Sequence, residues 1–457
     1  MEKTITKETS FKLRDHQKEV LDNWEKNNYF GFVQHGTGSG KTITGLEAIR
    51  RWHEKDSKNY ALVVVPTKIL MEQWIDEINK HFSKNVLILK KGGGLDTKNW
   101  HSHLLTFKEG NFIKEFNIFL TTYSSLSGDF PRSSIESKNL LLVADEAHNL
   151  GTEKRKIILE MNIGSAIGLS ATPERFEDSE TEEIINFFDG VLQPIYGIKE
   201  GVRDGYLSKY DYFLKTVPLS YQEMDEWREF TKKIVSLAQR LESEKDKNVR
   251  KDIRYSLDRQ RQERAKIKKK AESKVAFVRP ILEKNYISND RWLIYCSDSQ
   301  QVNDIQKSIS DLDIPIFQYL SSTDEDITAN LNYFKSLGGI ILCCKMLDEG
   351  VNIPSINKGI ILASSQTSRE FIQRRGRLLR VADKKDKAQI WDPIVIPPEG
   401  DRDDAGDNIV IQEIERATIF AETANNKSAL HKIEAIALEY NIYFEDILNK
   451  ISTDRKV

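Results

Sequence analysis

Three short stretches carry residue types whose spacing can do chemistry on a phosphorylated ligand. HGTGSGKT (His35 to Thr42) follows an apolar run ending in Val33 and opens a helical pattern. A loop at such a junction aims successive backbone N–H groups and the positive end of a helix dipole at bound phosphate. Gly36, Gly38 and Gly40 let the backbone turn tightly around Thr37 and Ser39. Lys41 then reaches the β- and γ-phosphates of a nucleotide, and the Thr42 hydroxyl can ligate Mg2+. The strict G-x-x-x-x-G-K-[ST] pattern would put Gly at position 35, where this chain has His. Further on, LLVADEAHNL (141–150) is an apolar strand pattern ending in acidic residues, the end at which α/β sheets place ligands. Asp145 is suited to hold a Mg2+ water shell, and Glu146 to orient and deprotonate an attacking water. In QRRGRLLR (373–380), Arg374, Arg377 and Arg380 fall three apart, so a helix would project them along one broad face. Guanidinium groups brought from a second domain by a closing cleft can stabilise charge on a transferring γ-phosphoryl, and Arg377 and Arg380 are the candidates.

The elements that must position these residues are legible as a rhythm. Up to about residue 205, the apolar runs Gly31–Val33, Ala61–Val65, Val86–Leu89, Ile118–Leu120, Leu140–Val143 and Ala166–Leu169 alternate with helical patterns such as Lys41–Glu54 and Leu70–His81. Strand–helix alternation predicts a parallel sheet covered by helices. The same rhythm returns after residue 290, at Trp292–Cys296, Ile314–Tyr319, Gly339–Cys344, Gly359–Ala363 and Gln389–Val395. Between the two blocks, residues 219–285 have apolar residues at helical intervals. A polar loop (397–407) precedes a last helical region in which Val410, Ile414, Ala417 and Ala421 share one face.

The phosphate loop and DEAH, with the rest of the chain, resemble the superfamily 2 helicases and translocases. The motif order agrees along nearly the whole sequence. LRDHQ (Leu13 to Gln17) looks like the family's adenine-sensing element, with Gln17 as the base-reading amide and Arg14 its neighbour. VVVPTKILMEQW (63–74) and TTYSSL (121–126) resemble the motifs that touch a strand's backbone, which makes Thr67 and Thr121 candidate phosphate contacts. LSATPER (169–175) is similar to the motif that couples the nucleotide to the strand through Ser170 and Thr172, and His148 of DEAH joins that coupling set. KMLDEGVNIP (345–354) and QRRGRLLR look like motifs V and VI. The resemblance thereby gives Lys345 to nucleic acid and Asp348, Gly350, Asn352, Gln373 and Arg374 to the nucleotide. Many members of the family have Asp where Asn352 stands; an amide can bond a ribose hydroxyl but brings no charge. The forms of the first, Ia and V motifs look closest to the branch of XPB-like repair helicases and type III restriction motor subunits, which favours DNA over RNA.

The resemblance implies an α/β chain of two tandem RecA-like parallel-sheet domains, at 1–205 and 289–400. A basic helical insertion (206–288) and a helical C-terminal extension (401–457) complete it. ATP and Mg2+ are the implied cofactors. The implied activity is ATP-dependent movement along nucleic acid, in DNA repair or restriction and phage defence. A double-strand translocase that never separates strands, an RNA helicase and an ATP-gated scaffold for an effector remain open. No nuclease constellation is evident, so cutting would have to come from a partner.

Composition agrees with a soluble setting. No apolar run in the 457 residues approaches the ~18–20 needed to span a bilayer. Three cysteines in strand-like runs argue against a disulfide framework, which fits a reducing cytoplasm. The formal charge of −2 hides an asymmetry: residues 231–274 hold 16 Lys or Arg against 7 Asp or Glu, and the remainder is net −11. This cationic segment reads either as a track for a phosphate backbone or as a solvated linker. Tyr221, Trp227 and Phe230 beside it either stack on bases or pack the segment onto its neighbour.

Overall fold

The computed structural model describes residues 12–82, 85–109, 111, 114–128, 136–152, 154–171, 178–319, 325–344, 356–363, 378–379, 381 and 387–454. The chain divides into two compact units, with Tyr206 closing the first and Leu207 opening the second. Among the described residues, no helix is long and apolar enough to cross a membrane.

The first unit contains α1 (Asp15–Lys26), β1 (Phe30–His35), α2 (Lys41–Lys55), β2 (Tyr60–Val65), α3 (Lys68–Phe82), β3 (Val86–Lys91), α4 (Trp100–Lys108) and β4 (Phe116–Thr122). It continues through α5 (Tyr123–Leu126), β5 (Leu140–Asp145), β6 (Ser165–Ser170), α6 (Asp178–Phe187), β7 (Val191–Tyr196) and α7 (Ile198–Arg203). The strands form one sheet in the order β3-β4-β2-β5-β6-β1-β7, with parallel pairing throughout. The central strands YALVVV and LLLVAD are buried along their whole length, because helices cover both faces of a parallel sheet. One face packs Val63, Val143 and Leu169 under Trp24, Leu46 and Trp74; the other packs Leu62, Phe119 and Leu142 under Leu104, Leu150 and Phe188. The sequence pattern contains six of these seven strands. β7 escapes it because VLQPIY holds polar Gln193 and donor-less Pro194, residues that only an edge strand tolerates.

The second unit runs β8 (Lys209–Pro218), α8 (Tyr221–Ser243), α9 (Lys247–Lys270), α10 (Glu272–Asn285), β9 (Arg291–Tyr295), α11 (Ser299–Ser308), β10 (Ile316–Tyr319), α12 (Glu325–Leu337) and β11 (Gly339–Cys343). β12 (Lys358–Ile361), β13 (Lys387–Ile396), α13 (Asp404–Ala421), α14 (Ser428–Glu439) and α15 (Phe444–Asp454) follow. Its parallel sheet has the order β10-β11-β9-β12-β13-β8.

Two expectations change here. Residues 206–288 are not wholly helical, since β8 lies within them and pairs with β13 along its full length, from Lys209 beside Lys387 to Pro218 beside Ile396. Nor is the basic segment a free-standing insertion. Met224 and Trp227 of α8, Ile267 of α9 and Phe277, Val278 and Leu282 of α10 share one core with Trp292, Ile294, Ile340 and Val395 of the sheet. Burying a large apolar side chain contributes about 1.5–3 kcal/mol, so six of them bind the segment firmly to the second unit. Trp227 is therefore a core residue, whereas Tyr221 is exposed and donates its hydroxyl to the Glu399 carbonyl. The helices start where the sequence supplies caps. Ser220 and Glu223 form a reciprocal capping box for α8, and the Asp246 carboxylate accepts from Asn248 and Val249 at the start of α9. In α13, Val410, Ile414, Ala417 and Ala421 are all buried, as their shared face requires.

Candidate active site

β1 delivers the chain to the phosphate loop, and Gly40 (φ 86°) is the N-cap of α2. Gly38 (φ 83°) also takes the left-handed conformation that only glycine adopts without strain. The loop is held by its carbonyls. Arg14 donates to the Gly38 carbonyl at 2.7 Å, and the Gln17 amide donates to the Gly40 carbonyl at 3.0 Å. The His16 Nε2–H donates to the Ser39 carbonyl at 3.1 Å. With its carbonyls engaged by α1, the loop keeps the amides of the first α2 turn, which no helix can satisfy internally, for an anion. Gly40 admits no side chain here, since a Cβ would lie 2.6 Å from the Gln17 amide nitrogen. The Arg14 guanidinium lies 3.9 Å over the Tyr206 ring, and His16 stacks on Tyr196 with ring centroids 3.7 Å apart.

His35, at the position where the strict motif has Gly, is wholly buried. Its Nε2–H donates to the Pro194 carbonyl at 3.1 Å, and burial, with His16 alongside, lowers its pKa to about 3. It is thus a neutral wedge between β1 and β7.

Asp145 and Glu146 end β5. The Asp145 carboxylate is buried and receives two donors, Trp74 Nε1–H at 2.8 Å and its neighbour's backbone N–H at 3.0 Å. Burial pushes its pKa up, while the Trp74 bond and the nearby Lys41 charge oppose that shift. Glu146 turns through φ 49°, a strained backbone for a residue with a Cβ, and Asn149 fixes its carbonyl through both backbone and side-chain N–H groups. That turn carries the Glu146 carboxylate to 3.9 Å from Lys41 Nζ and 3.5 Å from His148 Nδ1. The Asn149 amide lies 3.1 Å from His148 Nε2 and donates to it, which leaves the imidazole proton on Nδ1. That proton is directed at Ser170 Oγ, 2.9 Å away at the end of β6. Lys41, Asp145, Glu146, His148 and Ser170 therefore converge at the carboxyl ends of β1, β5 and β6, with Thr42 in the first turn of α2. Thr172, Lys345, Asp348, Gly350, Asn352, Gln373, Arg374, Arg377 and Arg380 lie outside the described residues.

The strand-contact candidates separate. Thr67 is partly exposed, and its hydroxyl accepts the Leu70 N–H at the start of α3. Thr121 is wholly buried, and its hydroxyl donates to the Lys91 carbonyl at 2.8 Å, so it offers nothing to a phosphate. Residues i and i+1 of a strand face opposite ways, and the accessible hydroxyls of this motif come later, in α5 and just after it. Ser124 and Ser127, with Gly128, Thr152, Lys154 and Arg155, line a cavity of about 530 Å³ that contains two cations and no acid. Trp74 and Tyr123, within VVVPTKILMEQW and TTYSSL, carry no functional signal in the sequence. Each is a buried aromatic whose one polar group reaches Asp145.

A strand–glycine loop–helix unit with its lysine facing an acidic strand end, on one of two parallel sheets, defines a P-loop nucleotide hydrolase of the tandem RecA-like type. Residues 10–175 match the family described as type III restriction enzyme, res subunit, and residues 273–382 match the helicase conserved C-terminal domain. The chain is 27% identical to the DNA 3'-5' translocase XPB2 of Sulfurisphaera tokodaii over 389 residues, covering 82% of this chain and 80% of that protein. Its fold superposes with TM-score 0.60 on the ATP-dependent type ISP restriction-modification enzyme LlaBIII bound to DNA. That match is at 17% identity and spans 90% of this chain but only 30% of the larger one. The Pyrococcus furiosus Hef helicase domain matches at TM-score 0.50 and 14% identity, over 86% of this chain and 97% of its own. At such identities the two structures speak for the fold alone. The two family models and the translocase relative together support a superfamily 2 helicase of the branch of XPB translocases and type III restriction motor subunits. The chain is an ATP-dependent enzyme of that kind.

Proposed function

We propose that the chain is a Mg-ATP-driven motor that moves along DNA. The observation that carries this reading is the set Lys41–Glu146–His148–Ser170, in one unit with α3 and α5, which overlap the motifs that resemble the family's strand-contacting ones. Lys41 and the α2 amides bind the β- and γ-phosphates, while Arg14 and Gln17, which brace the loop, are proposed to read the adenine. Asp145 and Thr42 fit a divalent cation: a carboxylate whose ionisation is opposed by burial gains most from a positive charge beside it. When bound, Mg2+ supplies neutralisation of the phosphate oxygens. Glu146 takes the proton of the attacking water, and His148, held by Ser170, stands 3.5 Å from its carboxylate. Arg377 and Arg380 are proposed to stabilise charge on the transferring phosphoryl.

ATP hydrolysis by the full chain, measured at one salt concentration with single-stranded DNA, double-stranded DNA, RNA and no nucleic acid, tests this. Stimulation by DNA above RNA is expected. A rate indifferent to nucleic acid would favour an ATP-gated scaffold. Displacement of a third strand without separation of a duplex would mark a double-strand translocase, with any cleavage supplied by a nuclease partner.

α9 is proposed as an additional phosphate contact. Ile253, Leu257 and Ile267 face the core, while Lys251, Tyr255, Arg259, Gln262 and Lys266 form one exposed stripe with Arg254 and Arg261 beside it. Arg261 and Lys266 make surface pairs with Asp258 and Glu263, whereas other cations of the segment are engaged with the second unit's interior or its neighbours: Lys268 with Glu413, Lys270 with Asp298, and Arg264 over Trp227 at 4.7 Å. Changing only Lys251, Arg254, Arg259, Arg261 and Lys266 to Gln is expected to weaken DNA binding. The salt slope should flatten by about 0.9 for each lost duplex phosphate contact. Affinity and slope both equal to the parent protein's would make the stripe a solvated face.

A further inference from the structure

We propose that Trp74 and Tyr123 are positioning residues that tie the strand-facing surface to the metal-site carboxylate, an inference that rests on the motor reading above. Two separate elements end on Asp145. From α3, the helix whose first turn Thr67 caps, the wholly buried Trp74 sends its only polar hydrogen to Asp145 Oδ2 at 2.8 Å. Its ring tip fills the space beside Gly45 of α2, where a Cβ would lie 2.7 Å from the indole. Trp74 is therefore wedged between the phosphate-loop helix and the acidic strand end, and α3 cannot shift without moving one of them. From α5, the wholly buried Tyr123 donates its hydroxyl to the Asp145 carbonyl at 2.8 Å.

The outer end of the second element carries the chemistry of a phosphate seat. Ser124 and Ser127 follow Tyr123 at the rim of the dibasic cavity, and the Arg155 guanidinium of that cavity lies 5.4 Å from the Tyr123 ring centroid. Arg155 also donates to the Asn149 carbonyl and side-chain oxygen at 3.3 and 3.2 Å, and Asn149 holds the Glu146 carbonyl. A backbone phosphate drawn to Ser124, Lys154 and Arg155, beside Ser127 whose hydroxyl donates to the Tyr123 carbonyl, would press on groups one hydrogen bond from Asp145 and two from Glu146. The Ser170–His148 pair reaches Glu146 instead, so the two acidic residues are steered from different parts of the unit.

Trp74→Phe and Tyr123→Phe each keep the ring and delete the single donor. The readout is Mn2+ binding to the ADP complex of the full chain, followed by electron paramagnetic resonance, with and without a single-stranded oligonucleotide. Loss of a group that orients a metal ligand costs on the order of 10–100-fold in metal affinity. Trp74→Phe is expected to weaken Mn2+ by about tenfold or more, and to add nothing in an Asp145→Ala background, because its effect passes through that carboxylate. The oligonucleotide is expected to shift Mn2+ affinity in the parent protein and to leave it unmoved in Tyr123→Phe. Mn2+ affinity within about twofold of the parent in Trp74→Phe, or the same loss persisting in Asp145→Ala, overturns the role of Trp74. An oligonucleotide shift that survives in Tyr123→Phe overturns that of Tyr123. Neither metal titration needs turnover, so failure here is distinct from a failure of the motor reading, which the ATPase comparison reports.

Discussion

Replacing Glu146 with Gln is expected to abolish ATP turnover while leaving nucleotide bound. The amide has the shape of the carboxylate and can keep the 3.5 Å approach to His148 and the 3.9 Å approach to Lys41. What it cannot do is accept a proton from water as bond formation to the γ-phosphorus begins. Positioned general bases contribute about 10²–10⁴-fold, so phosphate release should fall by at least two orders of magnitude. Lys41→Ala is expected to be equally inactive for a different reason, because it removes the charge that meets the β- and γ-phosphates. A fluorescent nucleotide titration separates the two, with binding retained in Glu146→Gln and weakened in Lys41→Ala. Robust phosphate release by either purified variant would remove these residues from the catalytic set.

The second large effect is on stability. In the second unit, Glu413 and Arg416 of α13 meet Asp392 of β13, Lys268 of α9 and Lys274 of α10 in a fully buried cluster. Tyr212 of β8 donates to Asp392 at 2.6 Å, and Lys274 donates to the Leu362 carbonyl at 2.7 Å. Glu413→Leu leaves three buried cations facing Asp392 alone. Breaking a buried ion pair from one side costs about 3–5 kcal/mol, so the denaturation midpoint of this unit should drop sharply at neutral pH. A loss below about 1 kcal/mol would mean that the cluster is held by packing.

The same residues set a pH dependence. Burial works against the Glu413 charge, yet Arg416, Lys268 and Lys274 outweigh it and hold the carboxyl down at about 2. Its contribution is therefore complete above the ordinary carboxylate range and is lost as pH falls through that range towards 2. Lys274 runs the other way. Burial lowers its pKa to about 8, so the folded state sheds that proton before the unfolded state does, and stability gains as pH rises from 8 towards the ordinary lysine value.

Much of this was legible from spacing. The phosphate loop and DEAH announced themselves because glycine, lysine and carboxylate positions there are dictated by local backbone geometry. The central strands were legible because burial on both faces leaves an unbroken apolar run, as in Tyr60–Val65 and Leu140–Asp145. β8 was not, since Lys209, Asp211, Lys215 and Thr216 interrupt its apolar residues, and only the β13 pairing makes it a strand. The charge count hid the apolar side of α8–α10, where a few large residues weigh more than sixteen cations. Thr121 was misread because spacing cannot say that its hydroxyl is buried and spent on the Lys91 carbonyl. Trp74 was overlooked because a tryptophan at helical spacing reads as core, and it is core apart from a single N–H.

The pairing of β8 with β13 also imposes an order of assembly on the nascent chain. Every strand of the first sheet lies between residues 30 and 196, so that sheet can close while the remainder is still being synthesised. β8 leaves the ribosome next but must wait some 180 residues for β13, the one strand that pairs with it among the described residues. Pairings between such distant segments form late and slowly, because loop-closure entropy is lost before contacts offset it. Until β9 and β11 follow, Trp227 and Ile267 lack the sheet residues that cover them, the kind of uncovered apolar surface that makes an incomplete fold prone to association.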